Sequence, residues 1–298
     1  MTDKEFFKQL NSIPRAEYAP VPFWSWNNDI ETSEAERQIE EMKVAGYGGF
    51  IIHARAGLTT EYLSEKWFEV VSACVEKAEK EGLCVWFYDE FGYPSGFVGG
   101  ELLKDEKNLA PYLECEKIDK FDKTALACYE KVGEDFKRVY DTFEKGEYYA
   151  VYKRLSPCNV DILNPDVVSL FIQKTYDKYY ERFKKYFGNV VRGFFTDEPQ
   201  YYRYATPYSP AADKEFEKKF GEDIKDGLIY LFYDFESGYR FRTRYYSVLN
   251  KLYTVNYYKR LYDWCDERGA ELTGHTVEEP HLFSQMWGSA DSMPSYLY

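Results

Sequence analysis

An α/β fold built on a parallel sheet is predicted by three observations. Short apolar runs, too uniformly apolar to lie half exposed, alternate with longer segments of helical periodicity. Each run ends in polar or charged residues, with glycine or proline marking many of the junctions. The chain has 298 residues and is 45% hydrophobic, ample for a sizeable core.

The first strand is PVPFWSWN (20–27). Ser33 and Glu36 then read as a capping box, and Ile39, Met42 and Ala45 trace one helical face up to Gly46. GGFIIHAR (48–55) is the second strand, expected to be buried on both faces. A helix from about Ser64 to Lys80 carries Trp67, Phe68, Val71, Cys74, Val75 and Ala78 at helical spacing and stops at Gly82. LCVWFYDE (83–90) is the third strand. Such alternation implies parallel strands joined by right-handed crossovers.

The alternation breaks over 111–156, where YLECEKI, ALACYEKV, FKRVY and EYYAVYKRL are separated by turn-like DKFDK, GED and EKGE. This reads as a small antiparallel insertion. Helical rhythm resumes at Asn164, an N-cap before Pro165, and runs to Gly188. RGFFTDEP (192–199) is the fourth strand. A short helix near 213–220 and a long amphipathic helix over roughly 237–268 lead to AELTGH (270–275), the fifth strand.

The strand ends share a chemistry. Asn27 and Asn28 follow the first, His53 and Arg55 the second, Asp89 and Glu90 the third, and Asp197 and Glu198 the fourth; His275 with Glu278 and Glu279 closes the fifth. A (β/α)8 TIM-type barrel gathers its active site at the carboxyl face of its strands, and this distribution predicts that architecture. Closure takes eight strands. With about five β/α units visible, the barrel is expected to be incomplete: one domain over 1–298, truncated at its C-terminus, with 111–156 inserted after the third strand.

Acidic residues outnumber basic ones by 51 to 38, the net charge is -13, and no basic stripe is present, so neither nucleic acid nor an anionic membrane is an expected partner. MTDKEFFKQLNSIPRAEY lacks the apolar core of a signal peptide, and no run approaches membrane-spanning length; a cytoplasmic location is expected. Six cysteines without CxxC pairing predict neither a zinc site nor a disulfide framework, but reduced and mostly buried thiols. Aromatic residues make up 19% of the chain, including 30 tyrosines. Most belong in the core, with a mild lean toward carbohydrate, whose C–H faces stack on rings.

Glu198 is the leading candidate for a general acid, since a carboxyl between Phe195 and Pro199 and beside Asp197 is expected to hold its proton more tightly. An ion pair with Arg192 or Arg203 is the plainer alternative. Glu278 and Glu279 of GHTVEEP supply a second carboxylate, with Glu279 preferred because it shares strand parity with His275 and precedes proline as Glu198 does. Two carboxylates suit glycoside hydrolysis, about 5 Å apart for retention or roughly 6.5–9.5 Å for inversion, and both outcomes stay open. Asp89 and Glu90 of YDEFGYPSG either accept from vicinal hydroxyls or cap the next turn. His53, Arg55, His275 and Asn27 are candidate substrate contacts, though a strand-end histidine is as often a satisfied core group. Trp24 and Trp26 form either a stacking wall or packing. No HxxxH or HxH spacing is present, and no metal site is assigned.

Taken together, PVPFWSWNN, GGFIIHARAGL, WFYDEFGYPSGFVGG, GFFTDEPQY and LTGHTVEEP resemble the barrel domain of glycoside hydrolase family 106, the α-L-rhamnosidase-like enzymes. The resemblance spans nearly the whole chain, including a β-rich insertion after the third strand. It implies an inverting hydrolase acting on terminal α-L-rhamnose or a related deoxysugar in plant or microbial glycans, with Glu198 as acid and a glutamate of the EEP run as base. The chemistry itself requires no cofactor; a calcium ion enters only through the family. Members are usually longer, continuing through further strands into β-sandwich modules, and many are exported, so the chain is expected to be a fragment. Two other readings compete. One is a metal-dependent sugar isomerase or epimerase ligated by His53, Asp89, Glu198 and His275. The other is a non-catalytic glycan-binding fragment.

Overall fold

The computed structural model describes residues 2–12, 18–142, 145–201, 205–277, 281 and 284. The chain opens with α1 (Asp3–Ser12), β1 (Phe23–Trp26), α2 (Thr32–Ala45), β2 (Gly49–Ala54), α3 (Glu65–Glu81) and β3 (Cys84–Phe91). Next come β4 (Leu109–Ile118), β5 (Ala127–Val132), β6 (Asp135–Val139) and β7 (Tyr148–Val160). They are followed by α4 (Pro165–Lys174), α5 (Tyr176–Phe183), β8 (Val191–Asp197), β9 (Thr206–Pro207) and α6 (Pro210–Phe220). After α7 (Tyr239–Leu252), a π-helical segment (Tyr253–Lys259) leads into α8 (Arg260–Asp266) and β10 (Glu271–His275). The described residues fall into two compact units: the first holds those of Met1–Tyr93, Gln173–Asp197 and Tyr262–Gly274, the second the rest.

The first unit is built on a five-stranded sheet ordered β1-β2-β3-β8-β10. β1 with β2, β2 with β3 and β3 with β8 pair in parallel, as the alternating sequence predicts. All positions of β2 are buried, which explains why its sequence shows no alternation. β1 and β10 are the outer strands, so the sheet is open among the described residues and no closed barrel forms. On one face Ile51, Tyr88 and Phe195 cluster with Val21 and Trp86 against them. Phe87 stacks on Tyr179 at 4.4 Å and Phe194 on Tyr176 at 4.0 Å, so α5 covers these rings. Each such ring contributes about 1.5–3 kcal/mol by burial. Much of the aromatic excess is therefore core, Trp67, Tyr88, Tyr176 and Tyr179 being among the largest fully buried side chains.

Local signals mostly hold. Ser64 caps α3 by accepting the Trp67 N–H at 3.2 Å, and Gly46 and Gly82 end α2 and α3 in the left-handed conformation. The capping box is corrected: α2 starts after Glu31, without a side-chain cap, so Ser33 already lies inside the first turn. Glu34 there binds Arg37 and Gln38 instead. Gly193 has a different purpose. A Cβ on it would lie 1.8 Å from the Glu271 carbonyl oxygen, so only glycine lets β10 close on β8.

The second unit contains an antiparallel sheet ordered β6-β5-β7-β4-β9. β4 pairs with β7 from Leu109↔Val160 to Ile118↔Tyr148, with one irregularity near Pro111, and β5 joins β6 and β7. The two-residue β9, from beyond the predicted insertion, pairs with β4. Asn164 accepts the Asp166 N–H at 3.0 Å, the predicted cap of α4. The single long helix expected over 237–268 is interrupted by the π-helical turns, which bury Tyr253, Asn256, Tyr257 and Tyr258. Hydrophobic spacing alone does not distinguish that widening from a regular helix.

All six cysteines are free; Cys74, Cys128 and Cys265 are buried, Cys84 and Cys115 partly so, and Cys158 is exposed. Among the described residues, no helix is long and apolar enough to cross a membrane.

Candidate active site

β3 changes register where its acids begin. Ile52 pairs with Phe87 and Ala54 with Phe91, so His53 alone stands opposite Tyr88, Asp89 and Glu90. Such a bulge re-aims side chains. Tyr88 joins Ile51 and Phe195 in the apolar cluster. Asp89, fully buried, accepts the Tyr176 hydroxyl at 2.7 Å. Glu90, also fully buried, accepts the Phe91 N–H at 2.8 Å. Buried carboxylates persist only with such donors. Asp89 is thus held by α5, a structural duty that the strand-end position does not reveal.

His53 lies flat on Tyr88, ring centroids 3.6 Å apart and planes at 17°, with the half-exposed Phe23 ring at 5.7 Å. It is 2% exposed, and among the described residues neither ring nitrogen has a partner at full hydrogen-bond geometry, the Gly92 backbone being the nearby polar group. Burial, reinforced by the nearby Arg55 charge, pushes its pKa down to about 4, with the Gly92 backbone opposing. The imidazole is therefore neutral at physiological pH. Arg55 is exposed just past the strand, its N–H donating to the Trp26 carbonyl at 2.9 Å.

Asp197 ends β8 half-buried, and its Oδ2 accepts the Tyr88 hydroxyl at 2.7 Å. Burial and this hydrogen bond raise the Tyr88 phenol pKa far above its ordinary value, so it donates throughout the working pH range. Glu198 follows in the left-handed region at φ 40°, its N–H donating to the His275 carbonyl at 3.2 Å. Arg192, the alternative partner, lies at the opposite end of β8; five extended residues, about 16 Å, lead from it to Asp197. A cavity of about 600 Å³ opens at that far end beside Cys84, Arg192 and Glu271, away from the strand-end acids. Arg203, Glu278 and Glu279 lie outside the described residues.

After Glu198, the chain is anchored by the π-helical segment. Tyr253 donates its hydroxyl to the Pro199 carbonyl, and Tyr201 meets the Tyr253 ring edge-on at 5.6 Å. Trp24 is committed to packing: its indole N–H donates to Gln38 at 2.7 Å, and its ring meets Trp26 and Phe50 edge-on. Trp26 is buried against Trp67. Asn27 is exposed beside a cleft of about 210 Å³, with Gly57 closing on its carbonyl. Tyr88, Tyr176 and Tyr253 are the residues sequence reasoning missed. Only Tyr88 carried a signal, its place directly before the strand-end acids.

His275 is exposed, and it and Glu198 offer ligand-capable atoms within 4.8 Å. Calcium takes about six to eight oxygen ligands, whereas imidazole suits transition metals. This pair does not fit the calcium that the resemblance implies.

No family model matches the chain, and no curated protein does. Among solved structures, a rhamnosidase from Novosphingobium sp. PP1Y is similar, with a TM-score of 0.65 and 11% sequence identity over 91% of this chain and 47% of that one. The chain thus spans about half the length of that enzyme. At this identity the likeness is one of fold: a mixed α/β arrangement similar to part of a rhamnosidase.

Proposed function

We propose that the chain carries the barrel portion of an inverting glycoside hydrolase that removes terminal α-L-rhamnosyl or related deoxysugar residues from plant or microbial glycans. The observation that carries this reading is Glu198, a carboxylate held in a left-handed backbone at a strand end, in a chain whose fold is similar to part of a rhamnosidase. Side-chain-bearing residues in that region are strained, and such strain clusters at active sites. Glu198 protonates the glycosidic oxygen as its bond to the sugar breaks. Glu279, or its neighbour Glu278, takes a proton from the water that attacks the opposite face. Asp197, Arg55, Asn27 and His275 contact the sugar; the buried His53 and Glu90 support the strand ends from within, as do Asp89 and Trp24 through Tyr176 and Gln38.

The test is hydrolysis of an aryl α-L-rhamnoside by the full polypeptide. Glu198→Ala is expected to lower kcat by about a thousandfold. Retained activity removes Glu198 from its role, and proton NMR of the first-released anomer decides inversion. A second reading, the metal-dependent isomerase, is favoured by the Glu198–His275 pair. Stoichiometric transition metal and chelator-sensitive isomerisation would establish it. Rhamnoside binding without turnover, unchanged in Glu198→Gln, would instead mark a glycan-binding module.

A further inference from the structure

We propose that Tyr88 is a positioning residue that fixes the Asp197 carboxylate to receive a sugar hydroxyl, with the His53 ring as its backing. What Asp197 receives rests on the glycosidase reading; that Tyr88 fixes it does not. The Tyr88 hydroxyl donates to Asp197 Oδ2 at 2.7 Å. The ring behind that hydroxyl is 1% exposed. It lies nearly parallel to His53 at 3.6 Å and 17° and to Phe195 at 6.0 Å and 11°, while Phe23 meets it edge-on at 6.3 Å. Rings from β1, β2 and β8 therefore hold the phenol in one orientation, and its oxygen fixes the carboxylate in turn.

The chemistry suits the role. A carboxylate has lone pairs beyond the one a single phenol fills, and those accept vicinal hydroxyls. Hydrogen bonds to a charged group are short and strong, so a buried donor sets the carboxylate's rotamer. The neutral His53 imidazole stacks on Tyr88 without competing as a cation for Asp197. Tyr88 pairs with Phe195 in the regular register of β3 on β8, and strand alternation puts Asp197, two residues after Phe195, on the same face.

The experiment compares wild type, Tyr88→Phe, Asp197→Asn and the double variant of the full polypeptide. Two readouts are used: aryl α-L-rhamnoside kinetics and the 13C resonance of the Asp197 side-chain carboxyl. Tyr88→Phe keeps the stack and removes the donor. The expected result is a shifted Asp197 resonance and a KM raised about tenfold with kcat within about twofold, as for an interaction shared by ground and transition states. That KM effect should vanish in the Asp197→Asn background. An unmoved Asp197 resonance, or a Tyr88→Phe effect that persists without the carboxylate, overturns the proposal. If wild type neither binds nor cleaves the rhamnoside, the glycosidase reading falls, and the resonance alone decides the positioning. Should Tyr88→Phe fail to fold, the converse is read: the Tyr88 Cζ resonance must move in Asp197→Asn, and an unmoved one overturns the proposal.

Discussion

The main-chain N–H of Glu198 donates to the His275 carbonyl at 3.2 Å, tying the residue after β8 to the end of β10 while Glu198 itself stands at φ 40°. The tie compensates a conformation that costs about 1–2 kcal/mol for a residue with a Cβ. The neighbouring carbonyl, that of Pro199, is held by the Tyr253 hydroxyl. Glu198 shares a positive φ with Leu63 and Val98 among the described residues other than glycine, and hydrogen bonds hold its own N–H and the carbonyl of the residue that follows it.

Glu198→Gly is therefore expected to stabilise the protein while abolishing hydrolysis. Relief of about 1 kcal/mol corresponds to a rise in Tm of roughly 2 °C for a chain of this size. Differential scanning calorimetry beside the rhamnoside assay checks both. A Tm unchanged or lowered by glycine would mean the position carries no strain to release.

His53 gives stability a pH dependence of known sign. Its pKa is about 4 when folded, against about 6.5 unfolded. Between these values the unfolded chain binds a proton that the native ring refuses, so stability is full above about pH 6.5 and is lost as pH falls toward 4. The loss is on the order of 2 kcal/mol once partial solvent access is allowed for. His53→Phe preserves the ring stack and removes the proton site. Urea unfolding at pH 7 and pH 4.5 should show a smaller difference between the two pH values in the variant than in wild type; equal differences would show that another group titrates.

The sheet was legible because burial leaves a compositional mark. β2 is apolar throughout since both its faces are covered, and β8 ends where its acids begin. Glycine caps at Gly46 and Gly82 were equally legible, because the left-handed turn they make excludes most side chains. The site was legible only as a set of strand-end residues. That Asp89 belongs to Tyr176 and Asp197 to Tyr88 depends on how β3 pairs with β8 and on which face α5 covers, and register is a property of pairing that one strand's sequence does not encode. Tyr253 was hidden for a related reason: its hydrophobic spacing fits a regular helix as well as it fits the π-helical turns that carry it.

Asp161 provides a second test, of opposite sign and in the other unit. It follows β7, is 4% exposed, and accepts the Ser209 hydroxyl at 2.7 Å, while Ser209 also caps α6 through the Ala211 N–H. Burial pushes its carboxyl up to about 7, against the pull of Ser209 and of the Leu163 and Asn164 backbone. An unfolded aspartate releases its proton near pH 4. From there to about pH 7 the native state keeps a proton that the unfolded state has lost, so the contribution of Asp161 is full below pH 4 and falls as pH rises through 7. The total is on the order of 3 kcal/mol. Asp161→Asn, which cannot ionise, should unfold at higher urea than wild type at pH 8 and at a similar concentration at pH 4. If the variant follows the wild-type pH profile, the proton resides on another group, and the Asp161–Ser209 contact is an ordinary ionised cap.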